Sequence, residues 1–328
     1  MAASDSRSEA LLEVHELSTV FRTRRGAFAA VDRVSFDVAA GEIVALVGES
    51  GSGKSVTALS IMGLLDPRVA MISGGLMRLE GTDLRGLTAD ALRRLRGKTM
   101  AMVFQEPMTS LNPTLTIGRQ LSESLELHDS LTRSEAKHRV RSLLHSVGIA
   151  DPDRRLNAYP HELSGGMRQR VMVASALSCS PRLLLADEPT TALDVTTQAQ
   201  ILELIEQLAA QSGTAVLLIT HDLGLVARHA DQVNVMYAGR LVERAPVASL
   251  FATPAHPYTR ALLAAVPRLD RPRSDTSSAI DGLPPALDER DDGCAFRARC
   301  PLASERCAEP QAWVRVASQH VAACWRAA

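Results

Sequence analysis

Two short stretches of this chain carry residues suited to phosphate chemistry. The first is Gly48-Glu49-Ser50-Gly51-Ser52-Gly53-Lys54-Ser55, followed by Val56. Its glycines let the backbone turn tightly, so that successive N–H groups converge on one anion. Lys54 offers a mobile cation to the β- and γ-phosphates of a nucleoside triphosphate, and the Ser55 hydroxyl offers a Mg2+ ligand. Lys54, Lys98 and Lys137 are the only lysines among 36 basic residues, so Lys54 departs from the chain's general use of arginine. The bland alternative is a glycine turn ahead of a helix. The second stretch is Leu183-Leu184-Leu185-Ala186-Asp187-Glu188, an apolar run ending in two carboxylates. Asp187 suits Mg2+, directly or through water, and Glu188 suits an attacking water. An acid pair closing a strand before Pro189 is common, and it gains meaning only beside the glycine loop.

The surrounding pattern supplies elements that can hold these groups. Short alternating segments from Leu11 to about Phe28, then Val31–Val38 and Glu42–Val47, read as strands. The glycine loop thus follows a strand and opens a helical run, Ser55 to Leu65, which stops near Asp66–Pro67. Leu121, Leu125, Val140, Leu143, Leu144 and Val147 recur at helical spacing and mark a helical insertion. Leu183–Ala186 and Val216–Thr220 read as strands separated by a helix, Thr196–Ala210. That alternation predicts an α/β fold with a mostly parallel sheet, placing the acid pair at a strand's carboxyl end where ligands bind.

Composition narrows the function classes. The chain has 328 residues, 46% of them apolar, and a formal net charge of -1. A sizeable core can be buried, and no basic excess is present to neutralise a nucleic-acid backbone. No apolar run reaches the roughly 18 residues that cross a bilayer, and Met1 to Ala10 is polar where a signal peptide would be apolar. A cytosolic chain is expected, associated with a membrane only through partners. Four of five cysteines, Cys294, Cys300, Cys307 and Cys324, follow residue 290, and such clustering in a reducing compartment points to metal before disulfides. The expected organisation is a tail at 1–10, a nucleotide-binding domain at 11–268 with a helical subdomain at about 108–175, a linker at 269–282, and an extension at 283–328.

Leu163-Ser164-Gly165-Gly166-Met167-Arg168-Gln169-Arg170 precedes another helical run and resembles the signature sequence of ATP-binding-cassette (ABC) ATPases. The resemblance implies a P-loop cassette with an antiparallel β subdomain and a helical insertion, hydrolysing ATP with Mg2+. It implies that Ser164, Gly165, Gly166 and Gln169 meet the γ-phosphate of ATP held by a second ATPase subunit, so that two chains sandwich two nucleotides. Gln105 resembles the Q-loop glutamine that touches Mg2+ and relays to a membrane subunit. Thr191-Ala192-Leu193-Asp194 resembles the D-loop at the dimer interface. His221 resembles the switch histidine on the γ-phosphate, although a lone histidine at a strand end is usually a satisfied polar residue. Phe21 resembles the adenine-stacking aromatic, with Phe28 as competitor and a core role as the bland alternative.

The likeness covers about 11–325, and several phrases are similar to the oligopeptide/dipeptide importer branch. They include Phe104-Gln105-Glu106-Pro107-Met108-Thr109-Ser110-Leu111-Asn112-Pro113, Tyr159-Pro160-His161-Glu162, His256-Pro257-Tyr258-Thr259-Arg260 and Gly282-Leu283-Pro284-Pro285. The branch implies import of peptides, usually by a heterodimer of ATPases with two transmembrane permeases and an extracytoplasmic solute-binding protein. The chain would sit peripherally on the cytoplasmic face of the membrane. Import of nickel or another solute, and a soluble ABC ATPase acting on nucleic acid or ribosomes, are the rival readings. In related importers a similar cysteine set holds a [4Fe–4S] cluster. Four thiolates also suit zinc, but the spacing lacks paired C-x2-C and favours the cluster; unligated thiols are the third alternative.

Overall fold

The computed structural model describes residues 10–24, 26–105, 110–191, 193–266, 280–286 and 290–327. Along the chain, β1 (Ala10–Thr23) and β2 (Gly26–Ala39) are followed by β3 (Ile43–Val47), α1 (Lys54–Met62), β4 (Ala70–Leu79), β5 (Thr82–Asp83), α2 (Ala89–Leu95) and β6 (Met100–Val103). Next come α3 (Ile117–His128), α4 (Arg133–Ser146), the short α5 (Pro152–Arg155), α6 (Gly165–Leu177), β7 (Leu183–Asp187), α7 (Val195–Ser212) and β8 (Ala215–Thr220). The chain finishes with α8 (Leu223–His229), β9 (Gln232–Tyr237), β10 (Arg240–Pro246), α9 (Val247–Ala252), α10 (Pro257–Ala264), β11 (Val314–Ala317) and β12 (His320–Ala322). None of the described helices is long and apolar enough to cross a membrane.

The chain divides into two compact units. One takes Met1–Leu12, Val38–Glu42 and Gly86–Leu218; the other takes Glu13–Asp37, Ile43–Arg85 and Ile219–Ala328. In the first, β6 and β7 pair in parallel, Met100 opposite Leu183 and Val103 opposite Ala186. All five residues of β7 are buried, which is why its sequence is a continuous apolar run up to Asp187. The helical insertion begins with α3 and α4, each capped by a threonine hydroxyl, Thr116 and Thr132. At Thr132 the cap is reciprocal, since Glu135 reaches back to the Thr132 N–H. Their apolar stripes, Leu121 and Leu125 with Val140 and Leu144, are fully buried.

In the second unit, β2, β1, β4 and β5 form one sheet in that order. β3 pairs in parallel with β9, which turns through Ala238 (φ 44) and Gly239 (φ 82) into antiparallel β10. Positive φ at both turn positions matches the twist of a two-residue hairpin. β10 then pairs antiparallel with β12, and β12 with β11, so residues of the C-terminal extension continue this sheet. Tyr237, Tyr258 and Phe296 meet at ring separations of 4.5 to 5.4 Å in the same core as Val47, Val233 and Val235. The extension therefore shares a core with the strand that leads into the glycine loop. The expected linker falls largely outside the described residues.

Candidate nucleotide site

In the second unit the glycine loop joins β3 to α1. Gly48 has φ 155 and Gly53 φ 103. A Cβ on Gly48 would lie 2.0 Å from the Met236 carbonyl oxygen, and one on Gly53 would lie 2.6 Å from the Ala30 carbonyl oxygen. Only glycine fits at either position. Within the loop, Ser52 N–H donates to the Glu49 carbonyl (3.1 Å), and Lys54 Nζ donates to the carbonyls of Gly48 (2.8 Å) and Glu49 (3.0 Å). Lys54 is 5% exposed, so its ammonium is held inside the loop. The Ser52 hydroxyl is buried and has no hydrogen-bond partner, a polar group that a ligand oxygen would satisfy. Ser50 and Gly51 are exposed. Ser55 and Val56 lie in the first turn of α1, which contains no acidic residue to offset the positive end of the helix. These features fit a triphosphate.

Glu49 is anchored from behind. Its N–H donates to Tyr258 Oη at 2.9 Å, and its carboxylate receives both terminal nitrogens of Arg299. Burial pushes the Tyr258 hydroxyl well above its usual range, and the hydrogen bond with Glu49 raises Arg299 further still. Neither Tyr258 nor Arg299 is a site residue by sequence; their pairing with Glu49 across more than 200 positions leaves no local signal. His221 lies exposed between β8 and α8. Asp222 beside it caps α8, accepting from Gly224 N–H (2.8 Å) and Leu225 N–H (3.2 Å). Phe21 and Phe28 stack on one another, ring centres 5.9 Å apart at 13°, and both are partly buried.

In the first unit, Asp187 closes β7 at 5% exposure, and Glu188 follows with φ 44. A left-handed backbone costs a non-glycine residue, and such positions gather where a side chain must be aimed. Glu188 Oε2 accepts from Gln105 Nε2 and from Thr191 Oγ1, each at 2.9 Å. Thr191 thus joins Gln105 in fixing the carboxylate, a role the sequence did not disclose. Ser164 caps α6, its hydroxyl accepting from Met167 N–H, and the Ser164-Gly165 turn is exposed. A Cβ on Gly166 would lie 3.3 Å from the Thr197 methyl carbon, and one on Gly165 would lie 3.9 Å from Leu193. Gln169 is buried, its amide nitrogen donating to the Pro189 carbonyl, and so ties α6 to the turn after Glu188. Asp194 caps α7 through Thr197 N–H (3.0 Å) and Thr197 Oγ1 (2.7 Å), bonds that hold its carboxyl below the usual range. Glu106 to Thr109 and Ala192 lie outside the described residues.

The placement of the cysteines does not support the expected metal centre. Among the described residues no three of His, Cys, Asp or Glu are grouped to hold an ion. Cys294 and Cys300 pack partly buried against the Tyr237–Tyr258–Phe296 core, whereas Cys324 belongs to a separate small cluster with Ala255 and Ala322. Cys294 N–H donates to the Cys307 carbonyl at 2.9 Å, a backbone bond that makes no use of either sulfur. Cys179 is buried.

Comparison with known proteins addresses the whole chain. The ABC transporter family matches residues 31–191, and the family "Oligopeptide/dipeptide transporter, C-terminal region" matches residues 242–307. The probable peptide ABC transporter ATP-binding protein y4tR of Sinorhizobium fredii is 51% identical over 98% of this chain and 97% of its own length. The oligopeptide transport ATP-binding protein AppD of Bacillus subtilis is 52% identical over 90% of each. Among solved structures, the dimeric post-hydrolysis ATP-binding cassette MJ0796 bound to ADP and Pi aligns with a TM-score of 0.65 and 26% identity, over 72% of this chain and 98% of that one. Identity at about half of the aligned positions, over 90% or more of both chains, means that this protein belongs to the ABC transporter family, among its ATP-binding ATPase proteins.

Proposed function

We propose that this chain hydrolyses ATP to drive import of di- or oligopeptides across the cytoplasmic membrane. The observation that carries the peptide assignment is the match of residues 242–307 to the oligopeptide/dipeptide C-terminal region, which lies outside the general ABC transporter match at 31–191. In this reading Gly48 to Val56 cradle the phosphates, with Lys54 turning from its loop carbonyls to the β- and γ-oxygens. Ser55, Gln105 and Asp187 are the residues that would hold Mg2+, which neutralises phosphate charge when bound. Glu188, aimed by Gln105 and Thr191, orients the attacking water, and His221 steadies the γ-phosphate. Phe21 is the stacking residue for adenine. The Ser164-Gly165-Gly166 turn, exposed at Ser164 and Gly165 and with Asp194 nearby, faces ATP on a second ATPase subunit, by branch resemblance a different polypeptide.

Two transmembrane permeases and an extracytoplasmic solute-binding protein complete the assembly, which holds the chain on the cytoplasmic face. For Cys294, Cys300, Cys307 and Cys324, a [4Fe–4S] cluster with zinc as alternative is the finer reading, supported by their number and spacing. Its test is the anaerobically purified protein: a reductant-bleached visible band supports a cluster, and colourless, metal-free protein sinks it. The functional test is uptake of a labelled dipeptide by cells lacking this chain. The wild-type chain restores uptake and Glu188→Gln does not, its turnover falling at least about a hundredfold while ATP binding persists. Uptake undiminished in the deletion, or fully restored by Glu188→Gln, would end the assignment.

A further inference from the structure

We propose that Arg299 is a positioning residue for the glycine loop: it neutralises and orients Glu49, so that the loop meets nucleotide in one shape and without a bare negative charge. The inference rests on the nucleotide reading of Gly48 to Ser55 and adds to it a residue 250 positions away, in the C-terminal extension.

The pair is a fork on a fork. Arg299 Nη1 donates to Glu49 Oε2 at 2.7 Å, and Nη2 donates to Oε1 at 3.1 Å. The remaining donors are also engaged, Nη1 on Tyr237 Oη (3.2 Å), Nε on the Asp281 carbonyl (2.9 Å) and Nη2 on the Ile280 carbonyl (2.9 Å). The guanidinium carbon lies 5.8 Å from the Tyr237 ring centre and 6.0 Å from that of Phe296. The Arg299 side chain is only 6% exposed and Glu49 25%, so this is not a surface pair free to swing. Bidentate geometry with partial burial is the case in which an ion pair carries geometric information.

Glu49 is fixed at each polar group. Its N–H is on Tyr258, its carbonyl accepts from Ser52 N–H and Lys54 Nζ, and its carboxylate is on Arg299. The peptide plane at the entry of the loop therefore cannot rotate without breaking one of these. The carboxylate also belongs to a loop that must receive a polyanion. Unpaired, it would repel the triphosphate; paired with Arg299, it contributes no net charge.

A purely mechanical staple, holding the extension to the loop, makes a different prediction at Glu49. If Arg299 only staples, removing the Glu49 charge as well cannot help. If Arg299 acts through that charge, removing it relieves the defect. The test titrates the full chain with Mg·ATP, with steady-state kinetics and thermal denaturation of each variant alongside. Arg299→Ala should weaken ATP binding about tenfold, Arg299→Lys less, and Glu49→Gln/Arg299→Ala should return to within about threefold of wild type. The loss should appear in KM, with kcat at saturating ATP changed by less than about twofold. Should Arg299→Ala not fold, Arg299→Gln carries the same test, since it drops the charge and keeps an amide for the Ile280 and Asp281 carbonyls. Wild-type affinity in the charge-removing variant, or a double variant as weak as the single one, overturns the proposal. Wild-type chain that binds no ATP instead overturns the nucleotide-site reading itself.

Discussion

Glu188 illustrates what a single residue must tolerate to be aimed. Its φ of 44 lies where a side-chain-bearing residue gives up about 1 kcal/mol or more. What holds it there is local: Gln105 and Thr191 both bond Oε2, and Thr191 N–H bonds the Glu188 carbonyl at 3.2 Å. If Thr191 aims the carboxylate, Thr191→Val should lower kcat about tenfold with KM for ATP changed by less than about twofold. Steady-state ATPase assays check this, and an unchanged kcat would leave Gln105 as the sufficient guide. The sequence named Glu188, Gln105 and the glycine loop because each belongs to a phrase with fixed spacing. It placed Thr191 in the D-loop phrase and Tyr258 in a branch phrase without tying either to the glycine loop or to Glu188, and it did not single out Arg299. A threonine in a turn bonds one of several nearby groups, and nothing in its spacing says which. The aromatic lies in a branch phrase and the arginine among the cysteines, and neither has a spacing tied to phosphate chemistry.

At the scale of elements, caps decide where helices begin, and one cap is sensitive to acid. His256 Nδ1 accepts from Tyr258 N–H at 3.0 Å at the start of α10. Burial pushes the imidazole from its ordinary 6.5 down to about 4, because a charged ring there loses its water and Nδ1 could no longer accept. The folded state thus favours the neutral ring, and the unfolded chain takes up the proton first. Stability is fully present above about pH 6.5 and declines as pH falls toward 4, by about 3 kcal/mol from this residue. His256→Asn, which keeps a capping oxygen and does not titrate, should flatten that limb of a pH series of denaturant midpoints; an unchanged slope would assign the acid lability elsewhere. Element legibility follows the same logic of context. The insertion helices were readable because Leu121, Leu125, Val140 and Leu144 repeat at helical spacing and are buried. β4 was not, since Ser73-Gly74-Gly75 reads as a turn. There a Cβ on Gly75 would lie 2.6 Å from the Glu16 backbone, so the glycine serves close strand approach rather than a bend. β9 was missed because Asn234, 1% exposed, interrupts its apolar run.

For the whole molecule, contacts group residues 219–328 with β3 and α1. The reason is visible in particular residues. Phe296 fills the core beneath Tyr237 and Tyr258, Arg290 donates to the Ala238 carbonyl and to Asp32, and His320 Nε2 lies 2.7 Å from Glu243 Oε1 with both side chains fully buried. Deleting residues 283–328 should therefore cost the cassette more than about 5 kcal/mol, combining loss of a buried phenylalanine with loss of the His320 partner of a buried carboxyl. Soluble yield and denaturant midpoint measure it, and a truncated chain as stable as the full one would restore the picture of an independent appendage.

The Glu243–His320 contact also bears on the order of events during translation. Glu243 leaves the ribosome 77 positions ahead of its partner. In that interval its carboxyl has only the N–H groups of Ala255 and His256 to meet it. A nascent chain has every reason to keep β10 open to water until the last hairpin emerges. The glycine loop, which Tyr258 and Arg299 hold from behind, would then be among the earliest segments made and among the last to be locked.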